Sequence, residues 1–196
     1  MNYSLELDKI LKNIDGQTLL LHSCCAPCSS YVISYLADYF NITVFYYNPN
    51  ISEEDEYKKR VNEQKRLIKL LDTKYPVKFI EGDYENNLYE TVIDGLRCEP
   101  ERGARCTKCF ELRLDKTAKL ASDMNFDYFC TTLTVSPHKN SKLINEIGLN
   151  LENKYKIKYL PSDFKKKDGY KQSIELSKKY DLYRQNYCGC KYSKRG

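Results

Sequence analysis

Seven of the nine cysteines stand in three short groups: Cys24-Cys25-Ala26-Pro27-Cys28, Cys106-Thr107-Lys108-Cys109 and Cys188-Gly189-Cys190. Thiolates so closely spaced can turn toward one cation or cluster, and groups on distant segments can close one cavity when the chain folds. Adjacent residues do not easily aim both side chains at one tetrahedral ion. Cys24 and Cys25 therefore suit two neighbouring centres, or a multi-iron cluster and one extra ion, better than a lone zinc. The Cys106/Cys109 spacing is common to iron–sulfur and zinc sites, and Gly189 frees the backbone so that Cys188 and Cys190 can face one ion. Cys98 and Cys130 stand apart, and Cys130 is expected to be a small core residue in an apolar strand.

Rival chemistries fit less well. A disulfide scaffold is disfavoured by the odd cysteine count and by an N-terminus, Met1-Asn2-Tyr3-Ser4-Leu5-Glu6, that lacks a signal peptide's apolar run, so a cytoplasmic location is expected. A zinc ribbon uses two matched Cys-x-x-Cys knuckles, and a thiol oxidoreductase would need only Cys106 and Cys109. The loop Ser23-Cys24-Cys25-Ala26-Pro27-Cys28 has none of the glycines of a phosphate-binding turn, which disfavours ATP use. No apolar run approaches the roughly 20 residues of a membrane span, so no membrane partner is expected.

The elements that must position these thiols alternate. Five β-prone runs, 18–22, 42–47, 77–80, 127–131 and 157–160, are separated by helical stretches at 29–40, 53–72, about 84–93 and 110–124, with another after Ser136-Pro137. Phe110, Leu114, Ala118 and Ala121 show the helical spacing. This pattern predicts an α/β fold with a mostly parallel five-stranded sheet and helices on both faces. Residues 1–196 are expected to form one domain, large enough to bury a core without disulfides or metals to staple it. The first cysteine group follows a strand, the second opens a helix and the third lies beyond the last helical stretch, so all three can meet at the carboxyl edge of the sheet, the usual ligand crevice.

Charge is divided unevenly. Residues 1–100 carry 11 Lys/Arg against 16 Asp/Glu, and residues 101–196 carry 21 against 11. The segment 152–196 holds 13 Lys/Arg, 5 Asp/Glu and 7 Tyr, including Lys165-Lys166-Lys167, Lys178-Lys179 and Lys194-Arg195. Cations can neutralise phosphates and aromatic faces can stack unpaired bases. Such a segment also suits a plain solvated surface.

His22-Ser23-Cys24-Cys25-Ala26-Pro27-Cys28-Ser29, Tyr47-Asn48-Pro49-Asn50-Ile51, Arg105-Cys106-x-x-Cys109, Thr131-Thr132-Leu133-x-x-Ser136-Pro137, Asp163-Phe164-Lys165-Lys166 and Tyr183-Arg184-Gln185-x-Tyr187-Cys188-Gly189-Cys190 together closely resemble the QueH family of epoxyqueuosine reductases. The resemblance runs from about residue 19 to 193. It implies a fold like that of adenine-nucleotide α-hydrolases, which is Rossmann-like, and a cobalamin-independent last step of queuosine biosynthesis. The substrate would be tRNA carrying epoxyqueuosine at the wobble position.

The resemblance further implies a [4Fe–4S] cluster beside an additional mononuclear iron. Cys106 and Cys109 with one or both of Cys24 and Cys25 would hold the cluster; Cys188 and Cys190, with Cys28 as a further candidate, would hold the iron. Turning an epoxide into an alkene takes two electrons and two protons and releases water, so a one-electron cluster gains from a second, Lewis-acidic iron. A ferredoxin- or flavodoxin-like electron donor would be needed. His22, Asp163, Asp168 and Tyr187 are candidate proton donors, and Lys165, Lys166, Lys167 and Arg184 candidate tRNA contacts. The alternative is a zinc-stabilised RNA-binding module without redox activity.

Overall fold

The computed structural model describes residues 2–194; Arg195, named above as part of a basic pair, lies outside the described residues. Five parallel strands form one sheet: β1 (Gln17–His22), β2 (Phe40–Tyr46), β3 (Lys78–Glu81), β4 (Tyr128–Thr131) and β5 (Lys158–Tyr159), in the order β3-β2-β1-β4-β5. The α/β architecture with its parallel sheet is what the alternation of elements predicts, and it is Rossmann-like, as the family resemblance implies. The chain runs outward from β1 through β2 to β3 and then returns to lay β4 on the other side of β1. That reversal is a topological switch point, and a crevice opens beyond the carboxyl ends of β1 and β4.

The core follows from strand alternation. Leu19 and Leu21 of β1 point to one face with Ile42 and Val44, against helices α1 (Tyr3–Leu11) and α2 (Ala26–Leu36). Leu20 points to the other, with Phe45, Phe129 and Tyr159, against α5 (Ala104–Asp123) and α6 (Ser141–Tyr155). On the first face α3 (Glu54–Leu70) packs Tyr57 and Val61 on Tyr46. On the second, α4 (Asn86–Val92) packs on α5 through Tyr89 and Cys109. The last helix, α7 (Gly169–Lys179), lies against α2 so closely that a Cβ on Gly169 would meet the Phe164 carbonyl oxygen and a Tyr31 ring carbon. Cys130 is fully buried among apolar neighbours in β4, as expected of a core residue.

Two helices start earlier than the apolar spacing suggests. Helix α2 begins at Ala26, not near 29, and α5 at Ala104, not near 110. Pro27 fits a first turn because its missing N–H would have no partner there, and no breaker stands between Ala104 and Cys109. Cys28, Cys106 and Cys109 thus lie in the first turns of helices, with Cys24 and Cys25 in the turn just ahead of α2.

Candidate metal centre

Cys24 and Cys25 end the turn after β1, and Cys28 is the third residue of α2, with Cys25 at its N-cap. Side chains at the N-cap and third positions of a helix approach each other, as in a capping box, so the local fold alone turns Cys25 toward Cys28. The three sulfurs lie within 4.8 Å of one another, and Cys24 Sγ is 3.9 Å from Cys25 Sγ. Among the described residues no other set of three His, Cys, Asp or Glu ligand atoms lies within that distance. Thr132, in the turn after β4, bonds Cys24 twice: its Oγ1 accepts from Cys24 N at 3.2 Å and donates to Cys24 Sγ at 3.4 Å. Hydrogen bonds from Cys25 and then Cys28 hold the Cys24 thiol well below its ordinary pKa. The bond to Cys24 in turn pushes Cys25 up to about 11.

The second group grows from α5. Cys106 and Cys109 are one turn apart on the helix face that also carries Arg113, and they line a cavity with Cys188 and Cys190. The loop after β2 holds that last pair in place. Asn50 Nδ2 and Arg60 Nη1 donate to the Cys188 carbonyl oxygen at 3.1 and 3.3 Å, and the Gly189 carbonyl accepts from Ser52 N at 3.1 Å. Gly189 has φ +105, and a Cβ there would stand 2.7 Å from Ile51 Cγ1, so any side chain at this position is strained. Cys190 Sγ is 3.1 Å from the buried Tyr89 hydroxyl. Burial is the main cause raising the Cys109 thiol to about 11, against the pull of Arg113.

The triad opens on a second cavity of about 240 Å³, which Cys188 also lines. The two cavities share Glu101, Arg113, His138, Lys139, Cys188 and Ser193 in their walls. Burial works against the charge on Lys139, but the neighbouring sulfurs, Cys24 first, outweigh it and raise its pKa. The donor set fits iron: seven thiol sulfurs, none in a disulfide, face two adjoining cavities at the switch edge of the sheet.

A family model described as epoxyqueuosine reductase QueH matches residues 19–196. A protein of Streptococcus pyogenes serotype M1 with that name is 47% identical over 199 residues, covering 98% of this chain and 78% of the relative. Its namesake in Staphylococcus epidermidis is 44% identical, covering 98% and 86%, and that of Thermotoga maritima is 34% identical, covering 90% of each. The chain belongs to the QueH family of epoxyqueuosine reductases.

The QueH motifs now acquire positions. Asn48 and Asn50 of Tyr47-Asn48-Pro49-Asn50-Ile51 are structural arms: Asn48 Oδ1 accepts from Arg113 Nη2, and Asn50 holds Cys188. Among the candidate proton donors, Tyr187 lines the larger cavity, its ring under the Arg60 and Lys194 cations. His22 does not line either cavity; it is fully buried, with Nδ1 2.9 Å from Thr131 Oγ1 and Nε2 3.3 Å from Arg113 Nε. Burial, then Arg113, lowers its pKa to about 3. Asp163 is 3.2 Å from Lys165 and also away from both cavities, and Asp168 is an exposed left-handed residue ahead of α7.

Of the basic QueH candidates, Lys165 is tied to Asp163 and to Ser141 Oγ (3.0 Å), and Lys167 to both carboxylate oxygens of Asp8 (2.7 and 2.6 Å). Lys166 is exposed and has no ion pair among the described residues. Arg184 is exposed on the rim of the larger cavity. Sequence reasoning passed over Arg113, Lys139 and Tyr89. Only Arg113 had a legible signal, its i+7 and i+4 spacing from Cys106 and Cys109 on one helix face.

Proposed function

We propose that the chain reduces the epoxide of epoxyqueuosine at the wobble position of tRNA to the alkene of queuosine, in the cytoplasm and without cobalamin. The observation that carries this proposal is the convergence of seven free thiols from three remote segments on two adjoining cavities in a QueH-family fold. Cys106, Cys109, Cys188 and Cys190 are suited to hold a [4Fe–4S] cluster, which takes four thiolates, and Cys24, Cys25 and Cys28 an additional mononuclear iron. The mutual approach of the Cys24, Cys25 and Cys28 sulfurs, contrary to the expectation that adjacent cysteines serve two centres, and the one cavity lined by the other four support this three-and-four division over one in which Cys24 and Cys25 serve the cluster. When bound, these groups supply single electrons and Lewis acidity.

The balance is epoxide plus two electrons and two protons to alkene plus water, the electrons coming from a ferredoxin- or flavodoxin-like donor. The chain's residues bind, orient and hold protons. Lys139 keeps an ammonium beside the triad, and Tyr187 holds a phenol proton on the same cavity wall. Arg184 and Tyr170 at the rim suit a phosphate and a base of the anticodon loop. Glu101 is the one acidic side chain on either cavity wall among the described residues, against Arg102, Arg105, Arg113, Lys139 and Arg184, a balance that favours an anionic substrate.

Anaerobic reconstitution with iron and sulfide, metal analysis and an assay of epoxide loss in precursor tRNA test the proposal together. Cys28→Ala is expected to lower iron by about one atom while keeping the cluster's visible absorption, and Cys109→Ala to lose that absorption. A colourless zinc protein that binds tRNA without changing it would replace this function by the RNA-binding one.

A further inference from the structure

We propose that Arg113 is the fixed counter-cation of the thiol site, a positioning residue whose charge favours both metal loading and the reduced state of the centre. The inference deepens the function proposed above and rests on it for the identity of the metal.

Arg113 is 3% exposed, and among the described residues no carboxylate lies within ion-pair distance of it. Its three sets of N–H groups go to His22 Nε2 (3.3 Å), Asn48 Oδ1 and Cys109 Sγ (3.8 Å). Two of those partners are neutral. A guanidinium cannot give up its proton at physiological pH, and burying it without an anion is strongly unfavourable. The other buried arginines are provided for differently. Arg60 has Glu56 at 2.7 Å, and Arg105 Nη1 and Nη2 donate to the carbonyl oxygens of Arg97, Glu99 and Tyr192, outside the cavity of the Cys24 triad. For Arg113 the anions on offer are sulfurs once they ionise on binding a metal: Cys109 by direct contact, with Cys24 and Cys188 on the cavity walls it shares.

The mounting is rigid. The His22 ring is held from both sides, its Nε2 3.3 Å from Arg113 Nε and 3.1 Å from the Tyr47 carbonyl oxygen and its Nδ1 2.9 Å from Thr131 Oγ1. Asn48 is itself pinned, its Nδ2 donating to the Ser23 carbonyl at 2.9 Å. Arg113 also lines both cavities, so one charge acts on both thiol groups. Replacing several thiol protons by one divalent ion leaves a net anionic site, and adding an electron makes it more so; a fixed cation favours both changes.

Two readouts other than turnover test this. Anaerobic cobalt(II) titration of the metal-free chain, followed by thiolate charge-transfer absorption, gives affinity. Dithionite potentiometry of the iron-reconstituted chain gives the midpoint. Arg113→Gln is expected to lower cobalt affinity about tenfold and to shift the one-electron midpoint negative by a similar factor, ~59 mV. Arg113→Lys, which keeps charge and loses the fork, should recover at least half of each shift. Asn48→Asp, which sets a carboxylate against the guanidinium, should move both readouts in the direction of Arg113→Gln and covers the case in which Arg113→Gln does not fold. Cobalt affinity within twofold of wild type and an unchanged midpoint in the folded variants would overturn the counter-cation. A wild-type chain that takes up no iron, but whose cobalt affinity still falls with Arg113→Gln, would overturn the iron function and leave the counter-cation standing.

Discussion

Asn50 Nδ2 donates to the carbonyl oxygen of Cys188 at 3.1 Å, joining residues 138 positions apart in the chain. That bond, with Arg60 on the same oxygen, is how a loop beyond β2 fixes the height of the last cysteine pair. Asn50→Ala removes a buried donor from a carbonyl that keeps one other partner, at a cost of about 1 kcal/mol. Amide hydrogen exchange at residues 188–191 should speed up several-fold while the strands keep their protection. Unchanged exchange there would mean that Arg60 alone sets the loop.

Gly189→Ala is the harsher change in the same loop. The backbone at φ +105 strains any Cβ, and the new methyl would meet Ile51. A destabilisation of about 1–3 kcal/mol follows from strain and overlap. It should act locally, so far-ultraviolet dichroism is retained while cobalt or iron uptake falls. Full metal uptake by this variant would show that the pair can ligate from another loop conformation.

The lysine run divides by function. Lys165→Ala removes the cation from the largely buried Asp163 carboxylate and should lower the unfolding free energy by roughly 1–3 kcal/mol. Lys166→Ala should leave stability within about 0.5 kcal/mol. Arg184→Ala should weaken tRNA binding evenly across sequences and reduce the slope of log affinity against log salt by about one unit. A slope that responds to Lys165→Ala and not to Arg184→Ala would move the interface away from the cavity rim.

At the opposite end of the sheet Asp127 joins β1 to β4. Its Oδ2 accepts from Thr18 N and Thr18 Oγ1 at 2.8 and 2.7 Å, and Asp127 N donates back to Thr18 Oγ1 at 2.9 Å. The Thr18 backbone bond is the main cause that lowers its pKa. A depressed folded pKa means stability present above the unfolded value, about 3.9, and lost as pH falls through the lower folded value. The difference in unfolding free energy between wild type and Asp127→Asn should be constant above about pH 5 and shrink below about pH 4. For so exposed a residue it should not exceed roughly 1 kcal/mol. A difference that grows toward acid would contradict the assignment.

Much of the fold was legible because buried parallel strands are dense in Leu, Val, Ile and aromatic residues, and the runs at 18–22, 42–47, 77–80 and 127–131 differ from the observed strands by at most two residues at either end. Helix α7 was not legible in the same way. Its buried positions are Gly169, Ser173 and Ser177, small residues that permit close approach to α2 but give no apolar stripe. The starts of α2 and α5 were misplaced because cysteines weigh little in an apolar pattern, yet Cys28, Cys106 and Cys109 are all helical. His22 and Asp163, singled out by motif, lie behind the site. Motif membership marks a residue as near the chemistry, not as facing it.

By itself the sequence determined the donor atoms. Seven thiols at short spacings on three segments have the pattern expected of a metal site, and their number exceeds what one zinc takes. Which thiols meet was decided only by tertiary structure. Cys24, Cys25 and Cys28 converge through a helix start, whereas Cys109 and Cys188 share a cavity because α5 and the Asn50 loop are packed at one edge of the sheet. The same holds for Arg113, an ordinary surface-type residue in sequence. Its character as a buried cation without a carboxylate arises from what the fold places around it, since burial and charge pairing are properties of neighbours in space.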